Sequence, residues 1–135
     1  MVHDELGREL DALEFDWVAA RDRCSIGVAF ERLKETSKKD TAQRNAQLAR
    51  DKTPYSFRFD ASGDWFAIVR QGEIHETVKV TLEGQAIVVY HQDRETHRAT
   101  ITFDVEGECR LVVKDARYRL WQFRRMVLEA FLFDR

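Results

Sequence analysis

With 135 residues, 44% of them hydrophobic and 34% charged, and a net charge of −2, the chain has apolar mass for one core and a surface of mixed sign. That length fits a single α+β domain, 1–135, since domains commonly run to about 100–150 residues. No apolar run approaches the ~18 residues of a membrane span, and the charge lacks the strongly basic face of a nucleic-acid footprint.

The opening Met-Val-His-Asp-Glu-Leu is acidic and has no basic region followed by an apolar one, so no secretory signal is expected and the location is expected to be cytoplasmic. In that setting Cys24 and Cys109, without CxxC or Cys/His spacing, are expected to be reduced, buried and structural. From Asp4 to about Arg23, Leu6, Leu10, Leu13, Trp17, Ala20 and Cys24 recur at helical spacing and form one stripe. Ser25 and Gly27 offer a break, although Ile26, Phe30 and Leu33 keep the period. Asp40 can cap a further short helix, Thr41 to Arg50, which has few large apolar residues and is expected on the surface. Pro54 then ends helical territory. Acidic residues dominate 1–30 and basic ones 31–52, a pattern expected to neutralise itself within the fold or across a dimer.

From Tyr55 the period becomes two. Candidate strands are Tyr55–Asp60, Asp64–Arg70, Glu73–Leu82, Gln85–Gln92, Arg98–Val105 and Cys109–Lys114, with connections short enough to force an antiparallel meander of five to six strands. A three-residue loop at Ala61-Ser62-Gly63 and two-residue turns at Gln71-Gly72 and Glu83-Gly84 set the expected register. One face then carries Tyr55, Phe57, Phe59, Trp65, Ala67, Val69, Ile74, Val78, Val80, Ile87 and Val89, and should receive the helices. Glu76 and His91 fall on that apolar face, opposite each other and beside Ala67. The other face is apolar around Phe66, Ile68, Val88 and Tyr90. Asp115 is a candidate cap for a last helix, Ala116–Phe133, so apolar that it should be buried on more than one side.

Helices, then a long meander, then an apolar terminal helix resembles the helix-grip arrangement, in which a curved sheet wraps a terminal helix. The α+β roll of cystatin-like proteins shares the helix-before-sheet order. The resemblance covers element order, and it implies a hydrophobic ligand held between sheet and helix.

The surplus of apolar surface points first to a non-enzymatic interaction module, expected to be a homodimer, with Phe66, Ile68, Val88, Tyr90, Phe131 and Phe133 at the interface. The alternative is a small apolar-ligand-binding protein whose cavity is lined by Trp65, Ala67, Glu76, His91 and Trp121. A third reading makes Glu76–His91 the base of a small enzyme, because a carboxylate beside an imidazole tunes it near neutral pH. No catalytic residue is assigned, no cofactor is implied, and the spacing of His75, His91 and His97 gives no metal site.

Overall fold

The computed structural model of the protein describes residues 14–134. Two helices, α1 (Trp17–Arg23) and α2 (Ile26–Arg50), precede seven strands: β1 (Ser56–Ser62), β2 (Trp65–Gln71), β3 (Glu76–Glu83), β4 (Ala86–His91), β5 (Arg94–Phe103), β6 (Cys109–Val113) and β7 (Ala116–Tyr118). Helix α3 (Leu120–Phe133) closes the chain and packs on the sheet. The strands follow one another in sequence order, each antiparallel to its neighbours. The class is the expected α+β meander, with seven strands in place of five to six. Leu6, Leu10 and Leu13 of the expected N-terminal stripe lie outside the described residues.

The seventh strand occupies sequence expected to open the last helix. Lys114, at φ 55°, turns the chain back on itself, so that Ala116 pairs with Val113 and Tyr118 with Leu111. Asp115 therefore sits in a turn and caps nothing. The helix starts four residues later than expected, where Gln122 Oε1 accepts a hydrogen bond from the Arg119 N–H (2.9 Å).

The break near residue 25 is real, and beyond it α2 is continuous. Ser25 Oγ accepts from the Val28 N–H (3.2 Å), and 25 helical residues follow without a second start at Asp40. Ile26, Phe30, Leu33, Ser37, Thr41 and Leu48 make its buried stripe, so the 41–50 stretch belongs to the core side and not to the surface. Asp40 instead accepts from Arg124 Nε (2.6 Å), and Arg44 Nε donates to the Leu132 carbonyl (2.9 Å), two ties between α2 and α3.

Sheet register corrects the expected faces. Ser62 pairs with Trp65 across a tight turn in which Gly63 is left-handed (φ 49°), so Phe59 faces Ile68 and Phe57 faces Arg70. A longer connection follows β2, bringing Ile68 opposite Val78 and Phe66 opposite Val80. Each slip is by an odd number of residues, and an odd slip turns a strand over. Phe66 and Ile68 therefore join the helix-facing core, fully buried, while Trp65, Ala67 and Val69 take the outer face. The second slip undoes the first, so β3 and β4 keep the expected face. Ala99, Ile101 and Leu111 extend it across β5 and β6.

Cys24 and Cys109 are joined in a disulfide. Cys24 is buried but Cys109 is exposed. The bond ties the α1–α2 joint to the start of β6, in place of the two reduced, buried thiols expected. Among the described residues no helix is long and apolar enough to cross a membrane.

Candidate functional site

The meander leaves room between its helix-facing surface and the C-terminal half of α3. β3 and β4 supply Val78 and Val89 as a floor, and α3 supplies Met126, Val127, Ala130 and Phe131 as a wall. The space is a groove of about 400 Å³, within the ~300–1,000 Å³ range of small-molecule sites. Such sites combine an apolar lining with a few convergent polar groups, and here the polar groups are Glu76, His91, Thr96, His97 and Asp134.

Glu76 and His91 meet, though not as opposite residues. His91 pairs with Val78 in the ladder, and Glu76 reaches it diagonally, with 3.4 Å between Glu76 Oε2 and His91 Nε2. The side chains are 35% and 45% exposed, so the pair sits at the mouth of the groove. The His91 ring stands edge-on to Phe131 (6.1 Å between centroids, 81°), which ties the pair to α3.

His97 lies deeper. It is in register with Val89 and edge-on to Phe123, a fully buried ring of α3 (6.5 Å, 83°). Burial, with a smaller contribution from the positive charge of Lys114, holds its imidazole below the ordinary histidine value of 6.5. Thr96 Oγ1 donates to the Val89 carbonyl (3.3 Å) and lies 3.0 Å from His97 Nδ1.

Of the residues named for a ligand cavity, the groove unites Glu76 and His91. Trp65 and Ala67 lie on the outer face, where Lys79 Nζ sits over the indole (5.1 Å). Trp121, half-exposed at the start of α3, lines a separate cleft between α2 and α3 of about 260 Å³. Of the residues named for an interface, Phe66 and Ile68 are core and Val88 is buried on the outer face. Tyr90 shares that face and donates its hydroxyl to Glu83 Oε2 (2.7 Å). Phe131 is buried against Phe57 (5.4 Å). Phe133 is half-exposed beneath the Arg44 guanidinium (4.2 Å).

Sequence reasoning missed His97, Met126, Val127, Ala130 and Asp134. His97 could have been found from the β4–β5 turn. Gln92 and Asp93 both adopt positive φ (52° and 66°), the two-residue hairpin geometry that puts His91 opposite Arg94 and carries β5 back along β4. Among the described residues no group of three or more His, Cys, Asp or Glu side chains is arranged to hold a metal ion. No protein-family model, curated protein or solved structure matches the chain.

Proposed function

We propose that this chain is a non-enzymatic binding protein for a small, largely apolar molecule, held in the groove between the sheet and α3 with its polar end against Glu76 and His91. The observation that carries this reading is the groove itself: about 400 Å³, apolar along its floor and wall, with a hydrogen-bonding pair at its mouth. Burying apolar ligand surface contributes ~25 cal/mol per Å², and the pair supplies orientation. A base role for Glu76–His91 gains less support, because both side chains stand more than a third exposed at the mouth of the groove, where water competes for any transferred proton.

A homodimeric interaction module is the second reading. Trp121 and Phe133, each about half-exposed on α3, favour it, since both border the α2–α3 cleft. A cytoplasmic location belongs with either reading as a proposal. The disulfide weighs the other way, toward an oxidising compartment.

The test uses the neutral apolar dye N-phenyl-1-naphthylamine, whose fluorescence rises on leaving water. Ala130 lies on the exposed rim of the groove, so A130W fills the space without touching the core. The wild-type chain should bind the dye saturably and A130W should not. Equal binding by both, or none by either, refutes the groove as a ligand site.

A further inference from the structure

A third cavity, of about 270 Å³, lies beside the disulfide, with Cys109 in its wall, where the start of α2 passes over β5 and β6. Ala29, Ile101, Leu111 and Leu120 give it an apolar lining, and Arg23 and Arg32 stand on its rim. Arg110, which also lines it, is committed: Nε contacts Asp104 Oδ2 (3.0 Å) and a terminal nitrogen contacts Glu108 Oε2 (2.8 Å). Arg23 and Arg32 are exposed and have no carboxylate partner among the described residues. The acids nearest Arg32 along α2 are already paired, Glu31 with Lys34 (3.2 Å) and Glu35 with Lys39 (3.6 Å).

A cavity with an apolar wall and two guanidinium groups at its mouth that have no carboxylate partner among the described residues has the chemistry of a site for an amphipathic anion. The tail gains by leaving water, while the head accepts charge-assisted hydrogen bonds from a planar fork suited to a carboxylate. We propose that this cavity binds a small anion-headed apolar molecule of the medium-chain carboxylate class, with Arg23 and Arg32 holding the head. The site is distinct from the groove under α3, whose polar groups include two acids, Glu76 and Asp134, and no arginine.

The experiment is a two-dimensional amide NMR titration of the full chain with octanoate, and with octanol and octylammonium as tails of equal length. Octanoate should move the amides of Ser25, Ala29, Ile101 and Leu111 and leave those of Val127 and Ala130 in place. Octanol and octylammonium should bind about tenfold more weakly or worse, the difference expected for one charge-assisted contact. R23E/R32E should abolish the octanoate shifts, and R23K/R32K, which keeps the charge but loses the planar fork, should bind more weakly than wild type and more tightly than R23E/R32E. Both arginines are exposed, so the variants keep the fold. Octanol binding as tightly as octanoate, shifts confined to the groove under α3, or octanoate binding unchanged in R23E/R32E would each overturn the proposal. A failure here leaves dye binding in the A130W-sensitive groove untouched, so the two sites are judged separately.

Discussion

His91 Nε2 lies 3.4 Å from Glu76 Oε2, although the ladder pairs His91 with Val78. A diagonal contact of this kind holds two side chains together without placing them in one hydrogen-bonded rung. Both remain more than a third exposed or close to it, so solvent screens their attraction and the pair adds less than about 1 kcal/mol to stability. H91Q and E76Q should therefore unfold in urea at nearly the wild-type midpoint. Their effect should appear in the ligand site, where each is expected to weaken binding of a groove ligand that carries a polar end. A large loss of stability in either variant would make the pair a structural tie and remove it from the site.

Asn45 holds the outer edge of the sheet. Its Nδ2 donates to the Phe57 carbonyl (2.7 Å) and its Oδ1 accepts from the Phe57 N–H (2.8 Å), so one side chain satisfies both backbone groups of an edge-strand residue. N45A leaves both groups part-buried and unmatched, at a cost of about 2 kcal/mol. N45D is the sharper variant: it can still accept from the N–H but opposes the carbonyl, and it should be no more stable than N45A. Urea denaturation of the three proteins measures this directly. Protection of the Phe57 amide against hydrogen exchange should fall first.

The order of elements was legible because most segments have a clear period, and Ala61-Ser62-Gly63, Gln71-Gly72, Glu83-Gly84 and Asp93-Arg94-Glu95-Thr96 punctuate the run of strands. The register was not. β2 reads Trp65-Phe66-Ala67-Ile68-Val69, apolar at every position, so alternation cannot say which set faces inward. Only turn length decides it, and the tight turn at Gly63 and Asp64 replaces the looser loop expected at Ala61-Ser62-Gly63. Glu76 and His91 stayed on one face because two odd slips cancel around β2 and the β3–β4 slip is even, closing on Gly84-Gln85. The disulfide was illegible for another reason: nothing in the local sequence of Cys24 or Cys109 reports that the fold brings their Cα atoms to 5.4 Å.

His97 makes stability depend on pH. Its imidazole is held below 6.5 in the folded chain, chiefly by burial, so the unfolded chain takes up a proton more readily. Its contribution is present above about pH 6.5 and is lost as pH falls through the lower folded value. The melting temperature should decline between pH 7 and pH 5, and H97Q should flatten that decline. Because His97 also lines the groove, an apolar occupant that removes its remaining water should bind more weakly over the same interval. Dye titrations at pH 7.5 and pH 5.5 check this, with H97Q as the variant that should show little pH dependence.

Ser37 is a defect in the α2 interface. Its Oγ is buried with no hydrogen-bond partner among the described residues, while its own carbonyl accepts from Thr41 Oγ1 (2.8 Å). An unmatched buried hydroxyl costs about 1 kcal/mol or more, and alanine is also the better helix former. S37A should stabilise the protein by about 1 kcal/mol, visible as a rise of about 3–5 °C in melting temperature. A fall instead would mean that the hydroxyl is satisfied in solution.

Cys24 and Cys109 are 85 positions apart, so their bond closes a loop that contains all of α2 and the strands β1 to β5. Constraining so long a loop in the unfolded chain is worth about 4.5 kcal/mol in the chain-entropy account. C24S/C109S, or reduction of the wild-type chain, should lower the unfolding free energy by about that amount. Cys109 is exposed, so a phosphine reductant has access to the bond. The loss should also have a local signature. Helix α1 has no buried residue of its own, and apart from Phe15, whose ring lies against Gly107, the disulfide is its main anchor to the sheet. Reduction should therefore speed tryptic cleavage after Arg21 and Arg23 under conditions where α2 and the strands stay intact. Equal cleavage rates in oxidised and reduced protein would show that Phe15 alone holds α1 in place.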